Sequence, residues 1–324
     1  MKQLFGIDIA STAVSSLRAH DQLARCTLED CRHEARELRM PLGIYNVSVS
    51  RVCDKVIRLC DRLDQYFSRP DGASPTRTDD DLMQEVIDYI ELALYAAAEH
   101  VDDLEAIASG FFTNNALRDK NQYFRALQKQ IKKNKKFVSA AANAIKHQQA
   151  RIRMFSLEYS HLGKAGCFHG YFIEGVKNGV VVPSATFHKD QQVFSITSLA
   201  WEIIVFLLEC SNDLSSFLGQ VAQQTVGPMN VPCPIFSKSV VAAARLPLYT
   251  FGEEHPFSRA TVRIESSDEN GEALQSHHYG SITNRWLNWG TPLFGSFVSR
   301  YVADGVTKSF QFPTPKSVAF AHWN

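Results

Sequence analysis

The chain lacks most of the short signatures that announce a chemistry. It has no Gly-Lys-Ser/Thr phosphate loop, no nucleophile elbow and no His-Glu-x-x-His helix, which excludes the usual forms of nucleotide hydrolysis, serine hydrolysis and zinc proteolysis. It has no excess charge of one sign, since 34 Lys and Arg balance 34 Asp and Glu. General electrostatic affinity for nucleic acid is thereby excluded, and only a local basic patch is left. Long apolar runs are missing too. The best candidate, "ITSLAWEIIVFLLECS" at 196–211, contains Glu202 and Glu209 and is too short to span a bilayer, so it reads as a buried helix. The opening "MKQLFGIDIAST" carries Asp8 and no sustained apolar run, unlike a signal peptide. The seven Cys are odd in number and irregularly spaced, which argues for reduced thiols in a cytoplasmic protein. No internal repeat and no low-complexity tract is present.

What remains is a chain of ordinary globular composition, long enough for two domains or one large one. Residues 11–40 carry charges interleaved with Leu and Val and read as helical, with Pro41 ending the stretch. Residues 46–67 place Val49, Val52, Val56, Leu59, Leu63 and Phe67 at steps of three and four, one helix face. "SRPDGASPTRTDD", 68–80, reads as a loop, with Asp79 or Asp80 capping a helix over 81–109. A third helical pattern covers 117–132. "KKNKK", 132–136, reads as a tight connection or a fraying end, and a fourth helix runs to about 158. From 165 the texture turns to β-branched and aromatic residues around Asn178-Gly179, the strongest short hairpin signal. A helix over 195–219 follows, then a Pro-, Gly- and aromatic-rich tail with strand-like runs such as "ATVRIES" and "KSFQF". The expected class is α+β. A helical region (1–67) and a bundle (81–160) precede a β-rich region with one long helix (165–324).

The fourth helix is the functional lead. At 100° per residue, Phe137, Ala141, Ala144, Ile145, Gln148, Ile152 and Phe155 share one sector, the core face. Asn143, His147 and Met154 fall on nearly the opposite side, with Ala140 and Ala150 beside them. Asn143 and His147 are i, i+4 neighbours, as are His147 and Arg151. Lys146 and Arg153 sit further round. Small residues around polar ones let a second helix or protomer approach, so this face is expected to be buried against another surface.

"NAIKH", residues 143–147, followed by arginines, resembles the second conserved stretch of the HEPN superfamily (higher eukaryotes and prokaryotes nucleotide-binding). The resemblance covers about residues 80–160. It implies a helical bundle, usually dimeric, and in many members a metal-independent ribonuclease of bacterial defence or toxin systems. The family motif is Arg, a polar residue often Asn, a short gap, then His. Here the polar residue is Asn143 and the His is His147. The Arg position holds Ala142, so Arg151 or Arg153 would have to supply its charge from the next turn. The implied roles are His147 as acid/base, Asn143 as its orienting neighbour, and Arg151 with Arg153 as phosphate donors. Lys129, Lys132, Lys133, Lys135, Lys136 and Lys146 would guide the RNA backbone. No metal or cofactor is implied. The expected partners are RNA, a second copy of the chain and an unidentified operon partner, with no membrane. His suits proton transfer near neutral pH, and cations suit a phosphate. The alternative is a non-catalytic interaction or sensor protein using the same face.

Other clusters carry less. "FGIDIAST" is similar to the first phosphate loop of the actin and sugar-kinase fold, with Ala10 in place of Gly; a short strand or helix start capped by Ser11 or Thr12 is preferred. Cys26, Cys31 and His33, and likewise His161, Cys167 and His169, lack paired zinc spacing. "SHHYG" (276–280) and "RWLNWG" (285–290) mix aromatic and basic residues that suit base stacking or, in preference, an oligomer surface or core corner.

Overall fold

The computed structural model describes residues 2–9, 12–14, 17–67, 77–148, 150–161, 164–188, 193–223, 231, 233–251 and 256, and the strands within 260–320. Two strands open the chain, β1 (Lys2–Ile9) and β2 (Thr12–Val14). A short helix, α1 (Arg18–Arg25), leads through two 3-10 turns to α2 (Pro41–Phe67) and α3 (Arg77–Ser109). Pro41 starts α2 rather than ending an earlier helix: at the first helical position its missing N–H is not needed. In α2, Tyr45, Ser48, Val49, Val52, Cys53, Val56, Leu59, Cys60 and Leu63 are buried, the three-and-four rhythm of one packed face. Next come α4 (Asn115–Lys120) and α5 (Gln122–His147).

The chain then turns into sheet. β3 (Ile152–His161) pairs antiparallel with β4 (Lys164–Lys177), which pairs with β5 (Val180–Pro183) and with β6 (Phe194–Ser195). Asn178 and Gly179 join β4 to β5 with φ of 54° and 75°. Two successive left-handed residues are what a two-residue hairpin of the favoured hand demands, and Asn-Gly supplies them at least cost. Helix α6 (Ile196–Val221) follows, then α7 (Pro234–Ala244) and the strands β7 (Tyr249–Thr250), β8 (Ala260–Ser267), β9 (Ala273–Tyr279), β10 (Gly295–Val298), β11 (Ser309–Phe310) and β12 (Ala319–Phe320). One sheet runs β2-β1-β8-β9, a larger one β10-β3-β4-β5-β11 with β6 beside β4, and β12 pairs with β7.

The class is α+β. Helix α6 is its axis: Ile196 through Leu208 are buried almost without break, Glu202 apart, with Leu214, Phe217 and Leu218 beyond. A helix apolar on all sides belongs inside, and α1, α2, α3, α5 and α7 all pack on it. Among the described residues no helix is long and apolar enough to cross a membrane. The core continues without interruption from Leu17 to Leu248, and a smaller cluster, including Phe155, Phe168, Phe172 and Tyr249, fills the sheet.

Three sequence expectations change. Residues 11–40 hold a strand, one short helix and 3-10 turns rather than a continuous helix. The opening returns as a hairpin, with Ile9 opposite Thr12. The third pattern is divided at Asn121 between α4 and α5, and α5 runs on without a break through "KKNKK" to His147, after which 152–161 is strand. Residues 150–158 fit a helical rhythm on paper, but Met154 and Phe155 are successive buried residues of β3, covered from both faces of the sheet. "SHHYG" lies partly in β9, and "RWLNWG" lies outside the described residues.

Gly110 ends α3 at a close approach. A Cβ there would stand 2.2 Å from Nε2 of His33, whose ring is buried and hydrogen-bonded through that nitrogen to the Ile107 carbonyl at 3.0 Å. Gly110→Ala is therefore expected to destabilise by about 1–3 kcal/mol, the range for an overpacked core. Urea unfolding would check it: an unchanged midpoint would mean that His33 is not seated against α3.

Candidate nucleic-acid interface

Helix α5 is positioned at both ends and on two sides. Asn114 caps α4 by accepting from Leu117 N–H at 2.9 Å. Asn121 caps α5 by accepting from Tyr123 and Phe124 N–H at 2.9 and 3.0 Å. Phe124, Leu127, Ile131, Val138, Ala141, Ala142, Ala144 and Ile145 are buried. Asn134 donates to Asp213 of α6 at 2.8 Å, and Lys135 pairs with Asp102 of α3 at 3.7 Å. Lys146 Nζ stands 4.4 Å from the centre of the Tyr95 ring, a cation–π contact.

The opposite face is exposed and of one sign. The whole of Gln122–His147 contains no acidic residue, against seven Lys and Arg. Helix α3, packed beside it, has ten Asp and Glu and a single Arg. The zero net charge of the chain thus conceals segregation between neighbouring helices. Because "KKNKK" is mid-helix, Arg125, Lys129, Lys132 and Lys136 stand at steps of four, three and four on one exposed line. Continued past Ala140, the line passes through Asn143 and His147, both also exposed. At 1.5 Å per residue it is roughly 33 Å long. Lys133 is exposed on the flank toward Asp213, and Lys146 on the flank toward α3.

The expected site is thus only partly assembled. Asn143 and His147 remain neighbours, but their face is solvent-exposed in the single chain rather than buried. Met154, placed beside them by helical counting, is buried in β3. Ala142, where the HEPN motif has Arg, faces the interior at 4% exposure. Arg151 is exposed beyond the end of α5, near enough to Glu91 of α3 to pull its proton affinity down. Burial and Asp88 push the same carboxyl up, and burial is the larger effect. Arg153 leaves the set: its side chain is 7% exposed on β3, and its Nε donates to Glu174 at 2.9 Å. A guanidinium so held does not reach a phosphate on α5.

Sequence reasoning missed Arg125, the first cation of the line, and half-buried Glu91 with Tyr95 at the far end. The signal for Arg125 was present in the four-three-four spacing across "KKNKK", once no break is placed there. Glu91 has no such signal, because its proximity to Arg151 is tertiary. Of the metal-ligand candidates, His33 is bonded to Ile107, and Cys31 Sγ donates to the Thr27 carbonyl at 3.5 Å. Among the described residues no three His, Cys, Asp or Glu are grouped to hold a metal. Comparison with family models, with curated proteins and with solved structures gives no match for this chain.

Proposed function

We propose that the protein acts on RNA, holding the phosphate backbone along the exposed line of α5. The observation that carries this is the alignment of Arg125, Lys129, Lys132 and Lys136 with Asn143 and His147 on one acid-free helix face. Phosphate contacts of this kind are electrostatic and carry little sequence information. A membrane surface is a poorer fit for the same charge, since the apolar face an interfacial helix inserts is here committed to α3 and α6. At the end of the line His147 would serve as the acid/base for attack by a 2′-hydroxyl, oriented by Asn143, with Arg151 as phosphate donor. No metal or cofactor enters the scheme. A homodimer would supply a second His147 and further cations, and the compartment we assign is the cytoplasm, where the thiols stay reduced.

A second reading, a non-catalytic interaction or sensor protein, is favoured by one observation: the motif Arg position is a buried Ala142. Salt-dependent RNA binding tests the first half of the proposal. Replacing Arg125, Lys129, Lys132 and Lys136 by Ala should reduce the slope of log K against log[salt] by about 3 for a single-stranded probe. Wild type that ignores RNA, or a variant with the parental slope, would refute it. Incubation with total RNA and tRNA in EDTA separates the readings. Cleavage lost in His147→Ala supports the enzyme; binding without cleavage supports the interaction protein.

A further inference from the structure

Three rings from three helices meet in the core. His20 of α1 and Tyr45 of α2 have centroids 6.3 Å apart, and Tyr45 and His100 of α3 are 6.0 Å apart. Tyr45 and His100 are fully buried and His20 is 8% exposed. Nδ1 of His100 is joined to Ser48 Oγ at 2.8 Å. Its Nε2, together with Nδ1 of His20 and the Tyr45 hydroxyl, is buried and meets no protein partner among the described residues. The Tyr45 hydroxyl lies beside Ser211 without closing a hydrogen bond. Ser211 Oγ already accepts Ala19 N–H at 3.0 Å.

We infer that this junction binds an ordered internal water molecule, shared by the Tyr45 hydroxyl with His20, His100 or both. A buried donor or acceptor left unpaired costs on the order of 1–3 kcal/mol, and three in adjoining rings would be a concentrated penalty. Buried polar groups that the protein does not satisfy are, as a rule, satisfied by water, which needs two to four polar partners. Those are available here: the phenol donates, and the two imidazole nitrogens donate or accept according to tautomer. Metal is a poorer occupant, because no three ligating side chains are grouped among the described residues. Burial also holds the nearby thiols of Cys53, Cys210 and Cys233 in the protonated form. The water would fasten α1 to α2 and α3 from inside, at the point where the chain passes from the β1–β2 hairpin into the helices.

Tyr45→Phe provides a test by sign. A hydroxyl that holds water is stabilising, so its removal should lower the melting temperature by about 2–4 °C. A merely unpaired hydroxyl is a liability, and an equal or higher melting temperature would overturn the inference. Coupling identifies the partner. The Tyr45→Phe loss should shrink in a His20→Phe or His100→Gln background and persist in Ser211→Ala. Loss that vanishes only in Ser211→Ala indicates a direct Tyr45–Ser211 bond and overturns it as well. A crystal structure of the whole chain should place solvent density within hydrogen-bond reach of Tyr45 Oη and one of the two imidazoles. A dry, closed junction there is likewise a refutation.

Discussion

Lowering the pH from 7 to 4.5 is expected to remove several kcal/mol of folding stability, chiefly through two imidazoles. Burial drives both His100 and His169 down to about 4, from an ordinary 6.5. Among the described residues neither has a charged partner that would favour its cation. His100 bonds Ser48, and His169 bonds Ser156 at 2.7 Å beneath the Tyr66 ring. Below pH 6.5 the unfolded chain takes up a proton at each site while the folded protein does not, so stability falls as pH drops from 6.5 to about 4 and levels off beneath it. A depression of this size amounts to about 2–3 kcal/mol per residue at pH 4.5. His33, lowered by burial and by Arg36, adds in the same direction. Glu91 and Asp213 work against it: their carboxyls are raised by burial, so acidification favours the folded form at those two positions. Both are only partly buried, and their contribution is the smaller. Urea midpoints at pH 7 and 4.5 would measure the difference. His100→Gln and His169→Gln should each flatten the profile; parental steepness in both variants would contradict the assignment.

Glu174→Ala is expected to cost about 3–5 kcal/mol, the usual result of stripping one partner from a buried ion pair. Arg153 and Glu174 face each other at 2.9 Å with side chains 7% and 9% exposed. They lie on neighbouring strands, and the backbone N–H of Glu174 also donates to the Arg151 carbonyl at 2.9 Å. Glu174→Gln keeps the acceptor and should cost less. Replacing both residues with apolar ones of similar volume should recover much of the loss, because removing both charges also removes their desolvation cost. Chemical denaturation of the four proteins would decide it. A Glu174→Ala variant within about 0.5 kcal/mol of wild type would show the pair to be solvated and weak.

The helices over 46–67, 81–109 and 195–219 and the Asn178-Gly179 hairpin were legible because each depends on local pattern: a packed face at helical rhythm, or two residues that accept positive φ. Two kinds of residue misled. Lys and Asn at 132–136 look like a break, yet they lie on the outside of α5, where solvated cations are compatible with helix; Ile131 and Val138 carry the packing across. Residues 150–158 keep helical spacing by coincidence, and the choice of strand is made by β4, which pairs with all of Ile152–His161. Of the candidate site, the cations and the Asn143–His147 neighbours were readable from spacing alone. The withdrawal of Arg153 into an ion pair was not, since its partner lies on another strand. Nor was the packing of acidic α3 against basic α5, which is a tertiary contact.

The pairing of β1 with β8 sets Lys2 opposite Ser267. On a ribosome that adds about 5–20 residues per second, the opening strand waits on the order of tens of seconds before its neighbour has been made. Helices α1–α7 are all made within that interval and can begin to assemble in turn, while Lys2–Ile9 keeps exposing an unpaired backbone edge. Nascent-chain capture by chaperones, or premature pairing between adjacent chains on one message, would be concentrated at these first residues.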